Sequence, residues 1–525
     1  MNRLDNVNTT DILDAIQLGC KCMSNIFNAD DNNIPYFTSS VWPKAALGFH
    51  IYHSESHVPG RHLNAMLNAE DVSGKKISDE VIENHRQAAK LSYSGALPLP
   101  FNRVELSGNP ISFCPHNIRE GFHALYSLAK YRNDSWATEM AEESIKCILE
   151  LWKPETGWNV DLLQSKGILY LSSMSFIHGE GRMLGSLVKY YKVTHSQAAM
   201  KLIHLLSDKM TTEFFTADGR FSSELFGTHS HSVTCCMSSL AQLAEFLNDA
   251  SLVQHVKAFY DNGLWAMRDE IGWSPESTEQ PLKKESDHGE GNNTGDILET
   301  ALILGKLGYD EYYDDAERIL RAHLLPSQLR DVSFIKDQEN SKDLDCFKNM
   351  AERHKGAWGF PAPYGHKSIK SGRGAISFNM DIVGGVTGSL CEAYRNIVNN
   401  SEFGLNVNLL FDYKSADICI KSPYTNDCLS IMLHKPSTLN VKIPKWADRN
   451  AIVVNANGGE HFYSGNRLIL TAPKLDEEIK IHIPLTESTL TLLRNHIQPI
   501  RIRFKGDSVI AMENHEADFT FFAPF

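Results

Sequence analysis

Four helix-to-helix junctions recur at nearly equal intervals along the first part of the chain, and they narrow the folds open to it. LYSLAKYRNDSWATEMAEESI, LVKYYKVTHSQAAMKLI, LAQLAEFLNDASLVQHVKAFY and LILGKLGYDEYYDDAERIL each carry an apolar helix ending in an aromatic residue, a short turn and a second amphipathic helix. The turns fall at Asp134, His195, Asp249 and Asp310, which are 61, 54 and 61 residues apart. A period of about 60 residues exceeds that of ordinary solenoid repeats and suits large helical hairpins set in a ring. Apolar periodicity predicts eleven or twelve helices between residues 10 and 400, the first over about Thr10 to Ile26. That is enough for six hairpins, although an open array has the same count. The connections at residues 153–177, 214–231 and 271–292 favour the ring. They are long, rich in Gly, His and Trp, and lie on one side of the hairpin scheme, as functional loops do.

After about Asn400 the period changes from 3.6 to 2. LNVNLLFDY, ADICIKS, CLSIMLHK, TLNVKIP, AIVVNANG, RLILTAP, EIKIHIP and IRIRFKG alternate apolar and polar residues between turn signals, as half-buried antiparallel strands do. The expected fold is mainly α with C-terminal β: an (α/α)6 toroid over residues 1–400, then a β-sandwich of eight to ten strands over 401–525.

Composition excludes several classes of function. A chain of 525 residues with a net charge of -13 and scattered Lys and Arg has no basic stripe for nucleic acid. No apolar run approaches the ~18 residues that cross a bilayer. The start MNRLDNVNTTDILDAIQLG lacks the basic and apolar regions of a signal peptide, so a cytoplasmic location is expected. The ten cysteines follow no metal-binding spacing, and reduced, mostly buried thiols are expected.

The stretch WSPESTEQPLKKESDHGEGNNTGDILETALILG, from Trp273 to Gly305, is the first candidate for chemistry. It places Glu276, Glu279, Glu285, Asp287, His288 and Glu290 in one loop ahead of a helix whose apolar face includes Ile297, Leu298, Ala301 and Leu302. Asn293 or Thr294 is the expected N-cap, with Asp296 in the first turn. Carboxylates on a rigid mount are what proton transfer requires.

Three further helix starts carry His and Arg: His116 with Arg119 and Glu120, His178 with Arg182, and His229 with His231. Two residues apart on a helix face different ways, so only one of His229 and His231 is expected to serve the site. Trp42, His53, His57 and Arg61 form a possible sugar- or acid-binding wall, and the glycines after Asp381 are expected to let backbone approach a ligand.

HGEGRMLGSLVKYY, GTHSHSVTCCMSSLAQLAEF, GEGNNTGDILETALILGKLGYDEYYDDAERILRAHLLPSQL, the Gly-Gly-x-Thr-Gly segment, LNVNLL, VKIPKWA and RFKGDSV follow one another as landmarks do in glycoside hydrolase family 127. Over most of its length the chain resembles these β-L-arabinofuranosidase-like proteins. The resemblance implies an (α/α)6 barrel followed by β-sandwich material. It also implies zinc held by one Glu and three Cys, one of them the nucleophile. In the family's register the Glu falls on Glu290, but the cysteines fall on Asn292, Gly385 and Val386. A divergent member without zinc or any other cofactor is therefore expected.

The resulting expectation is an exo-acting glycosidase on a small glycoside or oligosaccharide. Glu276 is the expected general acid, with Glu290 or Asp381 as base or nucleophile. His116, His178, Arg182, His229, His231, Trp273, Asn292 and Trp358 are the expected sugar-binding residues. A polysaccharide lyase or uronate-processing enzyme and an inactive carbohydrate-binding relative are the alternatives. A carbohydrate is the only partner expected beyond a homo-oligomer, which the sequence leaves open.

Overall fold

Asp11, Asp134, Ser196 and Asp249 each accept a hydrogen bond from a backbone N–H two or three residues on, and each starts a helix. Asn133, His195 and Asn248, with φ of 50°, 55° and 52°, end the preceding helices in the left-handed conformation. Three of the four repeated junctions are thus a left-handed stop followed at once by a cap, while Asp310 starts its helix without a capping bond. In the computed structural model, which describes residues 3–370 and 375–525, they help organise twelve helices of nine residues or more. These are α1 (Ile12–Met23), α2 (Val58–Ser73), α3 (Asp79–Ser92), α4 (Ile118–Arg132), α5 (Ser135–Leu151), α6 (Leu184–Thr194), α7 (Gln197–Lys209), α8 (Ser230–Leu247), α9 (Ala250–Asp261), α10 (Gly291–Lys306), α11 (Glu311–Ile319) and α12 (Met380–Ile397).

Six of them close a ring. α2 packs on α4, α4 on α6, α6 on α8, α8 on α10, α10 on α12 and α12 back on α2. These inner helices are buried on nearly every face, as a wall covered on both sides must be. The amphipathic α3, α5, α7, α9 and α11 follow their inner partners on the outside, and α1, from the start of the chain, packs on α12 as the sixth outer helix. The ring is tight: a side chain at Gly60 of α2 would lie 1.7 Å from the Glu120 carbonyl oxygen of α4.

Thirteen strands follow Ile397, more than the expected eight to ten, because several are only two to four residues long. Val398–Ser401, Gly404–Val407, Leu439–Lys442, Arg467–Thr471 and Glu460–Ser464 form one five-stranded sheet in that order. Tyr413–Lys414, Ile418–Lys421, Leu429–Leu433, Glu478–His482 and Val453–Asn455 form the second. The expected antiparallel pairing is corrected at one place: Gly404–Val407 runs parallel to Leu439–Lys442. Glu487–Leu492, Ile500–Lys505 and Ser508–Met512 make a third, three-stranded sheet.

Charged groups join helices to strands. Arg467 meets Asp310 at 2.6 Å, Lys442 pairs with Asp314, and Arg318 reaches Asp507 at 3.1 Å. Arg321, fully buried, lies between the rings of Phe411 and Tyr424 at 3.7 and 3.6 Å and donates to the Leu410 carbonyl.

Candidate active site

The N-terminal ends of the inner helices share one mouth, and almost every polar side chain there comes from a cap or a first turn. His57 caps α2, Asn117 precedes α4, Arg182 lies in a 3-10 turn before α6, His229 caps α8, Glu290 caps α10 and Asp381 opens α12. The long connections lead into these ends, as their placement in the hairpin scheme requires.

Glu290 corrects the expected cap. The helix begins at Gly291, so Asn293 and Thr294 lie in its first turn. The Glu290 side chain makes no capping bond; instead the Asn292 amide donates to Glu290 Oε1 at 2.9 Å. Its loop is pinned by Glu290 N donating to the Ser274 carbonyl, Glu276 N to that of His288, and Ser230 N to that of Glu276. Glu276 sits at the rim, its side chain 29% exposed, with His288 Nδ1 at 3.0 Å from Oε2. Burial, followed by the charges of Asp381 and Glu276, pushes the Glu290 carboxyl up to about 8.

Asp381 has the opposite character. Burial would raise its carboxyl, but the hydrogen bond and charge of His57, whose Nε2 lies 3.2 Å from Oδ2, hold it below its usual value. Asp381 Oδ1 and Asn292 Oδ1 are buried without a hydrogen-bond partner among the described residues.

Imidazoles line the rest of the mouth. The rings of His116 and His178 lie 4.4 Å apart, His178 and His229 5.3 Å, and His57 and His116 5.7 Å. Burial first, then neighbouring cations, pulls His116, His178, His229 and His231 below their usual range, so these rings are neutral. Asn117 Oδ1 lies 3.0 and 3.1 Å from Nδ1 of His53 and His57.

His229 and His231 both approach Glu290, although the buried His231 is also held by Arg61 at 2.9 Å. His229 has extended backbone, φ −79° and ψ 101°, so the helical two-residue offset does not apply across the cap. His229 Nε2 lies 4.0 Å from Glu290 Oε2, and His231 Nδ1 lies 3.5 Å from Glu290 Oε1.

Beneath the mouth the bore of the ring is filled by charge. Glu120 Oε1 lies 2.8 Å from Arg182 Nη2, 3.2 Å from Arg61 Nη2 and 3.3 Å from Arg119 Nη1. Burial alone would raise Glu120, yet His57 and the three guanidiniums hold it well below the usual carboxylate range. Asp296, read in the sequence only as a first-turn acid, lies 3.5 Å from Arg119 and 3.4 Å from His231. Burial pushes it up to about 8 against the pull of Arg119.

Two expected contacts fall elsewhere. Trp273 and Trp358 are fully buried, their indole N–H groups donating to the carbonyls of Pro361 at 2.8 Å and Leu324 at 2.9 Å, so neither offers a face to a sugar. Gly384 and Gly385 serve packing: side chains there would lie 2.8 Å from the Arg61 backbone and 1.8 Å from Asn292 Oδ1.

The residues present do not fit the zinc site of family 127. In the register that the resemblance implies, the cysteine positions fall on Asn292, Gly385 and Val386; the Asn292 amide oxygen fills the space of a side chain at Gly385, and Val386 offers no donor. Two other groups bring donors within 4.8 Å of one another: His229, His231 and Glu290, and His231, Cys235 and Asp296. Both need His231, whose Nε2 already accepts from Arg61 Nη2 at 2.9 Å, leaving a neutral ring's N–H on Nδ1 toward Glu290.

A closed ring of six helical hairpins, with imidazoles and carboxylates at the inner N-terminal ends, defines an (α/α)6 toroid with one polar mouth. Its fold is that of solved family 127 structures. The β-L-arabinofuranosidase of Geobacillus stearothermophilus T6 aligns over 95% of this chain and 80% of its own, with a TM-score of 0.56 at 12% identity. A second family 127 β-arabinofuranosidase aligns over 94% and 78%, with a TM-score of 0.57 at 12% identity. A further structure described as a glycoside hydrolase aligns over 86% and 77%, with a TM-score of 0.52 at 11% identity. No family model and no curated protein matches the sequence.

Proposed function

We propose that the chain is an exo-acting glycoside hydrolase that cleaves a small glycoside or oligosaccharide with carboxylates and without zinc. The observation that carries this reading is the divergence of Glu290 and Asp381 in one mouth, the first pushed up to about 8 and the second held below its usual range. Two carboxyls driven apart in this way divide into an acid and a base. Glu290, protonated at neutral pH, gives its proton to the glycosidic oxygen as the C–O bond breaks. Asp381, ionised, attacks the anomeric carbon or takes a proton from the attacking water. Glu276 passes from general acid to a rim group that raises Glu290. The neutral imidazoles of His178 and His229 grip hydroxyls, whereas both ring nitrogens of His116 are engaged, by the His178 carbonyl at 2.8 Å and Arg182 at 2.7 Å.

The filled bore supports exo action, because a pocket closed beneath accepts the end of a chain and not its middle. It also speaks against a uronate: Arg61, Arg119 and Arg182 are committed to Glu120, Asp296 and histidines. The test is a panel of neutral and uronic aryl glycosides and short oligosaccharides. Turnover of a neutral glycoside is expected, and Glu290→Gln and Asp381→Asn should each lower kcat about 10²-fold or more. Unchanged turnover in both variants, an unsaturated product absorbing in the ultraviolet, or one tightly bound zinc per chain would overturn the proposal. Saturable sugar binding with no turnover would instead identify a binding protein.

A further inference from the structure

At the opposite end of the ring, the last turns of the inner helices surround a cavity of about 390 Å³. Five cations line it: Lys130 of α4, Lys189 and Lys192 of α6, Lys306 of α10 and Arg395 of α12. Its three acids are engaged. Glu245 pairs with Lys306 at 2.5 Å, Glu392 with Arg395 at 2.8 Å, and Glu299 accepts from Ser389 and Ser238 at 2.7 and 3.1 Å.

Lys130, Lys189 and Lys192 have no carboxylate within 4.0 Å among the described residues. Lys130 Nζ donates to Tyr126 Oη at 3.3 Å and lies over the Tyr131 ring, and Lys192 lies over Phe246. Helix dipoles account for part of this, because Lys130, Lys192, Lys306 and Arg395 stand in last turns. They do not account for Lys189, which is half-buried in the middle of α6. Burial, then the nearby Arg395, holds Lys130 below its usual value, so the cations remain crowded despite the helix ends.

We propose that this cavity binds a phosphorylated small molecule of about monosaccharide size, its phosphoryl oxygens held by Lys130, Lys189 and Lys192. Lysine meets phosphate as a point charge with three donors, and the volume lies in the range of small-ligand pockets. Gln242 of α8, which also lines the cavity, offers a partner to hydroxyls. The bore of paired charges separates this cavity from the histidine mouth, so occupancy here does not depend on glycoside turnover there.

Calorimetric titration of the full chain with glucose 6-phosphate, inorganic phosphate and glucose, at fixed ionic strength, tests the proposal. Saturable binding of the sugar phosphate is expected, with weaker binding of phosphate and none of glucose. Lys189→Gln should weaken sugar phosphate binding at least tenfold, and Lys192→Gln, nearer the surface, should weaken it in a chain whose folding is least disturbed. Absence of saturable binding by either phosphate, or equal affinity in the wild type and both variants, would overturn the site. Phosphate binding as tight as sugar phosphate would overturn the ligand size.

Discussion

Glu290 ties stability to the chemistry assigned to it. A carboxyl whose pKa is higher in the folded than in the unfolded chain favours the fold while protonated. Its contribution is complete below about 4.5 and is lost as pH rises through about 8. Glu290→Gln should therefore raise the unfolding temperature at pH 8 and leave it unchanged at pH 4, while lowering kcat. Calorimetry at the two pH values reads the first effect, and a lower temperature at pH 8 would contradict the assignment. In the wild type, kcat/KM should fall as pH rises through about 8, because the acid form is lost. At this scale residue order shows His116, His178, Arg182, His229, Glu290 and Asp381 at helix starts, and the fold brings those starts to one candidate mouth. Asp296 escaped notice because an acid in a first turn already has an explanation, and Trp273 and Trp358 were misplaced because an aromatic residue reads the same in a wall as in a core.

Elements fix where those residues point. The loop between α9 and α10 is held by residues from the far end of the chain: Asn495 donates to the Trp265 and Arg268 carbonyls, and His496 lies 2.9 Å from Asp269 and 3.5 Å from Asp287. Burial alone would lower His496, but hydrogen bonds and charge from the two carboxylates raise it to about 9. The stabilisation is fully present below about 6.5 and is lost as pH rises through about 9. His496→Gln leaves two buried acids without their cation and should destabilise the fold at pH 7 by about 3–5 kcal/mol. Hydrogen exchange should then speed up in residues 274–290; unchanged exchange would show that the contact does not hold the loop. The period-2 pattern placed this segment among strands, but no local pattern reveals that the turn at 493–497 reaches back across more than 200 residues.

A second contact joins α10 to α12. Gly385→Ala should cost about 1–3 kcal/mol by crowding Asn292, and Asn292→Ala should relieve most of that cost. A double-mutant cycle by denaturant unfolding measures the coupling, and simple additivity would refute it.

At the scale of the whole molecule, the hairpin period and the change to period 2 made the architecture legible, since both follow from which faces must be buried. The docking of strands on helices was not legible, because Asp310 reads as a plain helix cap and instead accepts from Arg467 at 2.7 and 2.6 Å. Arg467→Ala should cost roughly 1–3 kcal/mol, since the pair is partly buried and Asp310 loses its cation. Limited proteolysis should show faster cleavage near residue 398, and an unchanged pattern would place the docking energy elsewhere. The sixth outer wall comes from α1, whose partner α12 begins more than 350 residues later. During synthesis α1 must therefore wait, its apolar side uncovered, until α12 emerges, which makes completion of the circle a late event and that waiting helix a natural client for a chaperone.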